Sequence, residues 1–160
     1  MFYRFISLFF TLSLLANCQL ATPLDSALAP FGFTAQSHAC LSEALYHEAR
    51  GTTTEGIRAV GEVILNRSTD PGFPSSICGV IDQRYNGSCQ FSYRCDSISV
   101  AVFNEPSELA RVQSMALILL TDRQQDITNG ALFFHAARMN PGWFSTLSPR
   151  GQFGGNLFYR

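Results

Sequence analysis

The chain has 160 residues, of which 46% are hydrophobic and 14% charged, a composition that suits a single apolar core. All 11 basic residues are arginine, and with 12 acidic residues they give a net charge of −1. Without lysine the chain cannot form a P-loop or a Schiff base, and without a basic run it offers no surface for non-specific nucleic-acid binding.

The N-terminal sequence is typical of an export signal. One arginine precedes an apolar run from Phe5 to Ala16 that is shorter than the ~20 residues of a membrane span. Positive charge, apolar core and small residues, in that order, predict a signal peptide over 1–18, with a buried N-terminal helix as the alternative. Ala16-Asn-Cys18 resembles a small-x-small cleavage site, which would make Gln19 the first mature residue. The same residues also resemble a lipoprotein box, in which case lipid on Cys18 would attach the protein to a membrane.

Two helices are predicted after a linker. Residues 19–36 contain two prolines and no clear period, which indicates a linker. A helical pattern then begins at Ser37 and continues to about Arg50, where Gly51 stops it. The next helix continues to Arg67, and Thr52 and Glu55 have the spacing of a capping box at its start.

The remaining elements complete a mainly helical α+β domain over 37–160. A short helix begins at Ser75 or Ser76 and ends near Asp82, and a third long helix begins at Asn104-Glu-Pro106 and ends near Thr121. The aromatic run Ala131–His135 predicts a strand, and Gly155–Tyr159 its antiparallel partner in a small sheet.

Four cysteines remain after the leader: Cys40, Cys78, Cys89 and Cys95. An exported chain meets an oxidising compartment, so we expect two disulfides. Three pairings are possible, and we favour Cys40–Cys78 with Cys89–Cys95 because the second pair would close a short loop.

No metal site or cofactor is predicted. The cysteines lack the close Cys-x-x-Cys pairs of a zinc site. His47-Glu48 begins like a zinc-protease motif, but Gly51 occupies the position where the second histidine is required.

Glu48 falls inside the apolar stripe of its helix. At about 100° per residue it lies between Leu41 and Ala44 on the helical wheel, whereas Glu43 faces the opposite side. Apolar surroundings raise the pKa of a carboxyl, as a general acid at neutral pH requires. The alternative is a glutamate at the edge of the core whose carboxyl reaches water or Arg50.

The following helix carries a polar stripe that we interpret as solvent-exposed. Glu55, Arg58, Glu62 and Asn66 lie on one side, and Arg58 and Glu62 have the four-residue spacing of a surface ion pair.

Several motifs occur in a fixed order and carry a resemblance. They are Glu43-Ala-Leu-Tyr-His-Glu-Ala-Arg-Gly51, Val63-Ile-Leu-Asn-Arg67, Phe73-Pro74, Gly79-Val-Ile81 and Cys89-Gln-Phe-Ser-Tyr-Arg-Cys-Asp96. Over about 38–160 the chain resembles the SleB-type cell wall hydrolases, named for the spore cortex-lytic enzymes, and within them the cysteine-containing branch of Gram-negative bacteria.

The resemblance implies a lysozyme-like fold that acts on peptidoglycan. Glu48 matches the family's catalytic acid, and members cleave the bond between N-acetylmuramic acid and N-acetylglucosamine, the best understood as lytic transglycosylases. Three positions depart from the family pattern. Thr52 replaces the usual glutamate after the glycine, Gly154-Gly155-Asn156 replaces the usual Gly-x-His, and the loop ends in Cys95-Asp-Ser where Cys-Asp-Gly is common.

Five residues are candidates for binding the glycan. In the cysteine-flanked loop, Gln90, Ser92 and Tyr93 offer an amide, a hydroxyl and a ring that could stack on sugar. His135 and Trp143 are further candidates, although packing roles are the alternative for both.

A single catalytic glutamate favours transglycosylation, in which the muramic acid 6-hydroxyl attacks in place of water. A hydrolytic muramidase would need a second carboxylate, for which Asp82 and Asp96 are the candidates. Two other functions stay open: a thiol peptidase that pairs a cysteine with His135, and a non-enzymatic peptidoglycan-binding module. We expect an exported monomer, located in the periplasm or cell envelope or secreted, whose partner is the peptidoglycan glycan strand.

Overall fold

The computed structural model describes residues 22–96, 103–122, 125–139 and 141–160. Its elements in chain order are α1 Pro23–Leu28, α2 Ala35–Ala49, α3 Thr54–Thr69, α4 Ile77–Ile81, β1 Arg84–Tyr85, β2 Ser88–Cys89, α5 Pro106–Thr121, β3 Phe133–Ala136, β4 Pro149–Phe153 and β5 Asn156–Tyr159. Short 3-10 turns occupy Ala29–Phe31, Ser92–Cys95 and Gly142–Thr146. The predicted mainly helical α+β domain is confirmed. Over the ranges described, no helix is both long and apolar enough to span a bilayer.

Helix α2 is the central element of the core. Thr34 and Ser37 cap its start reciprocally, and its apolar stripe packs against α3, α4 and α5. Leu41, Ala44 and Leu45 are fully buried in this cluster. The helix begins two residues before the predicted Ser37, because Thr34 is its N-cap, and ends one residue before Arg50, which is its C-cap.

Residues 22–34 differ from the linker that we predict over 19–36. Thr22 caps α1 through a reciprocal bond with Asp25, and Leu28 is fully buried in the core. Asp25 also accepts a hydrogen bond from the amide of Ala35, at 2.6 Å, and so connects α1 to the first turn of α2. We did not predict this helix because the segment contains two prolines. One of them, however, occupies the first helical position, where the missing amide hydrogen costs nothing. The predicted signal peptide lies outside the described residues.

Both disulfides follow the favoured pairing. Cys40–Cys78 links α2 to α4, and Cys89–Cys95 closes the loop between β2 and its following 3-10 turn. Inside that loop Arg94 forms ion pairs with Glu43 of α2 and with Asp82 at the end of α4. The loop is therefore fixed both covalently and by charge.

The C-terminal sheet has the order β3-β5-β4, and all its pairs are antiparallel. The predicted pairing of β3 with β5 is confirmed, with His135 opposite Leu157, whereas β4 was not predicted. The β4–β5 turn packs closely on α3, because a Cβ added to Gly56 would lie 2.7 Å from Cα of Gly154. This contact fixes the position of Asn156, the first residue of β5.

The polar stripe of α3 is buried, so the prediction of a solvent-exposed stripe is wrong for its central residues. Glu62 is 0% exposed and Asn66 is 8% exposed. The segment before β3 covers them, and it supplies the hydrogen bonds that a buried polar group requires. Thr53, rather than the predicted Thr52, caps the helix.

Asp126 organises the segment that covers this stripe. It accepts hydrogen bonds from the Asn66 side chain and from the backbone amides of Thr128 and Gly130, at 3.0, 2.8 and 2.7 Å. Asn66 also donates to the carbonyl of Ala131, at 3.1 Å. These hydrogen bonds fix the position of the segment that leads into β3.

Glu62 and Asp126 influence each other's protonation within this network. Burial, followed by the hydrogen bond with Asp126, raises the pKa of Glu62 to about 7, although Arg58 donates to its carboxyl at 2.8 Å. Burial acts to raise the pKa of Asp126, but its hydrogen bonds with Glu62, Thr128, Asn66 and Gly130 together outweigh burial and hold that pKa well below its ordinary value. The pair therefore carries one negative charge at mildly acidic pH and gains a second as the pH rises past about 7.

We predict that Glu62→Gln flattens the dependence of stability on pH. Between about pH 5 and 7 the native protein holds a proton on Glu62 that the unfolded chain releases, so stability falls as pH rises through this window and the loss is nearly complete by pH 8. Glutamine cannot titrate; its oxygen can accept from Arg58 and its amide can donate to Asp126, although it cannot also accept from the Thr128 amide. Urea unfolding at pH 5 and pH 8 should show a smaller loss in the variant, by about 2 kcal/mol.

The exposed Glu55 provides the matched control. Glu55→Gln should keep the pH dependence of the parent. An equal loss of stability in the parent and in Glu62→Gln would show that Glu62 is not the titrating group.

Candidate active site

Glu48 opens into a cavity of about 540 Å³ that we call the acid pocket. The last turn of α2 supplies Glu48, β3 supplies His135, and β5 supplies Asn156. Thr52, from the α2–α3 connection, and Arg138, after β3, complete its polar lining. The pocket therefore collects residues from four separate parts of the chain around one carboxyl.

Two opposing effects set the protonation of Glu48. Burial raises its pKa, and the positive charge of Arg67 lowers it, with burial the larger effect. No hydrogen bond joins its carboxyl to any other described residue. Glu48 is therefore an acid with a raised pKa whose proton has no internal acceptor among the described residues, as proton donation to a bound substrate requires.

Arg67 is a buried cation beside this acid. Its side chain is 3% exposed, and its Nε donates to the carbonyl of Leu132 at 2.7 Å. Its guanidinium carbon lies 5.2 Å from the ring of Phe73, 5.9 Å from that of Phe91 and 5.6 Å from that of Phe133. Burial lowers its pKa to about 10, so it stays charged at neutral pH.

A second carboxylate is absent from the described lining of the acid pocket. Asp82, one of the two predicted candidates, pairs with Arg94 at the end of α4. Asp96, the other, is exposed after the disulfide loop and does not line the pocket. The described geometry gives neither candidate a place opposite Glu48.

The structure brings His135 and Asn156 into the pocket with Glu48. The ring of His135 is also well supported, since Nδ1 lies 2.9 Å from the Ala136 carbonyl and Nε2 lies 3.3 Å from the Tyr159 hydroxyl. A carbonyl only accepts, so Nδ1 carries the hydrogen in that contact. His135 thus combines a packing role with a position on the pocket wall.

Gln90 and Trp143 meet in a second cavity, of about 620 Å³, that we call the aromatic groove. Its aromatic and amide lining consists of Phe73, Gln83, Tyr85, Gln90, Phe133 and Trp143. Trp143 is 56% exposed and packs edge-on to Phe133, with ring centres 5.8 Å apart. Arg67 lies over two rings that line this groove, Phe73 and Phe133, and its charge acts on Glu48 of the acid pocket, so it interacts with lining residues of both cavities.

The two other loop candidates line neither cavity. Ser92 is exposed at the start of its 3-10 turn. Tyr93 is 5% exposed and stacks on His47, with ring centres 4.2 Å apart and planes inclined by 17°. Its burial argues against the predicted stacking of this ring on a sugar.

Arg67 is a site residue that the sequence analysis missed, and Asn156 is one that it treated only as a departure from a pattern. Both stand in quoted motifs, Leu-Asn-Arg67 and Gly-Gly-Asn156. The sequence signal for Arg67 is its position next to the apolar stripe of α3. Helical periodicity alone predicts that such an arginine lies at the edge of the core.

Among the residues that the structure describes, no group of three or more His, Cys, Asp or Glu side chains is arranged to hold a metal ion.

A family model described as Cell Wall Hydrolase matches residues 51–159 of the chain. The matched range begins after Glu48, and it contains Arg67, His135 and Asn156.

Curated relatives carry the description spore cortex-lytic enzyme. The protein of Bacillus subtilis is 38% identical over 82 residues, and that of Halalkalibacterium halodurans is 29% identical over 144 residues. These alignments cover 51% and 89% of this chain but only 25% and 39% of the relatives. The chain thus spans less than half the length of these two proteins.

A solved structure shares the fold. The catalytic domain of the germination-specific lytic transglycosylase SleB from Bacillus anthracis superposes with a TM-score of 0.65 at 25% identity, covering 81% of this chain and 98% of that domain.

Proposed function

The chain belongs to the cell wall hydrolase family, and on that basis we propose that it cleaves peptidoglycan between N-acetylmuramic acid and N-acetylglucosamine with Glu48 as the proton donor. The observation that carries the proposal is the acid pocket. Its one described carboxyl has a raised pKa and no internal hydrogen-bond partner among the described residues, and it opens to a cavity.

The first step that we propose is acid catalysis. Glu48 donates its proton to the glycosidic oxygen, the bond from that oxygen to the anomeric carbon breaks, and the muramic acid ring gains cation-like character. Arg67 then faces a carboxylate in place of a neutral acid, and its buried positive charge favours that state.

The second step that we propose completes a transglycosylase cycle. The 6-hydroxyl of the same muramic acid attacks its anomeric carbon, and the Glu48 carboxylate accepts the hydroxyl proton. The product is a 1,6-anhydro sugar, and Glu48 returns to its acid form. This route needs a single carboxyl, in agreement with the described lining of the pocket.

Glycan binding is assigned to both cavities. We propose that His135 and Asn156 contact the sugar at the cleaved bond, and that Gln90 and Trp143 contact its neighbour along the strand. Ser92 stays a candidate for glycan binding from outside the two cavities, because it is exposed in the disulfide-closed loop.

We also propose that the protein acts outside the cytoplasm, in the periplasm or cell envelope, as a monomer. Two disulfides support an oxidising compartment, and they support a place in the cysteine-containing branch of the family. The signal peptide over 1–18 and lipid on Cys18 stay predictions.

We predict that Glu48→Gln abolishes the release of soluble muropeptides from purified sacculi. General acid catalysis contributes about 10²–10⁴-fold in rate, and glutamine keeps the shape of the side chain while removing the proton. The control Glu55→Gln changes an exposed glutamate and should keep full activity.

Full activity in a folded Glu48→Gln protein would reject Glu48 as the acid. A wild-type protein that binds sacculi and releases nothing would identify a binding module.

Mass spectrometry of the released fragments tests the choice of nucleophile. We expect muropeptides that end in 1,6-anhydro-N-acetylmuramic acid and that are lighter by one water than their hydrolytic counterparts. Reducing ends would show that water attacks, and would require a second carboxylate from outside the described lining.

A further inference from the structure

Arg138 is an exposed cation on the wall of the acid pocket. No carboxylate of the described residues lies within ion-pair distance of its guanidinium. Other described arginines do form such pairs, namely Arg50, Arg58, Arg94, Arg111 and Arg160. The positive charge of Arg138 is therefore available to an anion that enters the pocket.

The described lining of the pocket holds no negative charge to neutralise Arg138 while Glu48 is protonated. Glu48 is the one carboxyl in that lining, and burial favours its neutral acid form. Arg67, whose charge acts on Glu48, is a second cation nearby. Before proton donation the electrostatic potential in the pocket is therefore positive, and it favours a ligand that carries a negative charge.

Two hydrogen bonds hold the turn that carries Arg138. The amide of Ala137 donates to the carbonyl of Gly155, at 2.9 Å, and the amide of Met139 donates to the carbonyl of Ala136, at 2.8 Å. The first of these bonds connects the turn after β3 to the β4–β5 turn, which packs on α3. The backbone at Arg138 is therefore restrained, and less entropy is lost when its side chain binds a ligand.

Muramic acid carries a carboxylate close to the bond that we propose is cleaved. The break occurs at its anomeric carbon, and the same ring bears a lactyl ether at C3. When this group is free it ends in a carboxylate, and when it is substituted it carries a stem peptide with carboxylates of its own. A carboxylate is the anion whose two oxygens match the fork of donors on a guanidinium.

We propose that Arg138 binds a carboxylate on the muramic acid whose bond is cleaved, supplied by the lactyl group or by the stem peptide. The inference rests on the proposed function and adds a specificity, since muramic acid with an anionic group is preferred over the same sugar with a neutral amide. N-acetylglucosamine lacks this group. Arg138 thus favours the register in which muramic acid presents its anomeric carbon to Glu48.

The test compares substrates that differ only in whether their carboxyl groups are charged. Glycan strands freed of peptide by an amidase carry the lactyl carboxylate, and carbodiimide coupling to methylamine converts it into a neutral amide. The release of soluble fragments gives kcat/KM for both forms. We expect the wild type to prefer the carboxylate form through a lower KM, because the ion pair forms as soon as the substrate binds.

Arg138→Gln should reduce this preference about fivefold, the upper range for a solvent-exposed ion pair, by raising KM for the carboxylate form alone. Arg138→Lys keeps the charge and should restore most of the preference. Arg84→Gln is the matched control, because Arg84 is also exposed and has no described ion pair but lines neither cavity. An unchanged preference in a folded Arg138→Gln protein, or an equal loss in Arg84→Gln, would overturn the proposal.

A second pair of substrates identifies the source of the carboxylate. In intact sacculi the lactyl carboxyl forms an amide with the stem peptide, so only the peptides supply carboxylates, and the same coupling to methylamine neutralises them. A preference that depends on Arg138 in sacculi assigns the carboxylate to the stem peptide, and one in peptide-free strands assigns it to the lactyl group. Its absence from both pairs of substrates overturns the proposal.

The salt dependence of the wild type covers the case in which the Arg138 variants do not fold. Added salt screens an exposed ion pair, so the preference for the carboxylate form should fall as the ionic strength rises. A preference that salt leaves unchanged would overturn the proposal.

The outcome is separable from that of the proposed function. Equal cleavage of the charged and neutral forms rejects only the Arg138 site, whereas the absence of cleavage on every substrate rejects the enzyme. In that second case calorimetry with the same strands measures the preference as a difference in binding affinity, and the same variants decide whether Arg138 causes it.

Discussion

The site depends on the balance between burial and charge at Glu48. Burial alone would favour the neutral acid, and Arg67 alone would favour the carboxylate; the net result is a raised pKa with a cation held nearby. Arg67 can play this part because the Leu132 carbonyl and three aromatic rings hold its guanidinium out of water. Burial thus favours the acid form of Glu48 before proton donation, and Arg67 favours the carboxylate that remains after it.

The rest of the fold brings the other residues to this pair. Arg67 follows Asn66 on α3, and both donate to carbonyls just before β3, at Leu132 and Ala131. The buried Glu62–Asp126 pair fixes the same segment. The contacts that position His135 on β3 therefore come from the helix that also carries the cation. This arrangement explains why a polar stripe on α3 is buried rather than solvated.

Local sequence signals predicted the local features of the structure. The helical period placed Glu48 among apolar neighbours, and glycines and caps gave the ends of the helices. The sequence does not reveal which distant segment covers a polar stripe: an Arg58–Glu62 pair has the same spacing whether it faces water or Asp126, 64 residues beyond Glu62. The burial of Tyr93 escaped prediction for the same reason, because its partner His47 lies on another element.

The most direct test of this account is a pH titration of the Glu48 carboxyl carbon by NMR in the wild-type protein, with Glu48→Gln used to assign the signal. The account predicts a midpoint above the ordinary value of 4.5, because desolvation outweighs the charge of Arg67. A midpoint at or below 4.5 would mean that Glu48 is a solvated or charge-stabilised carboxylate, and would contradict its role as the proton donor.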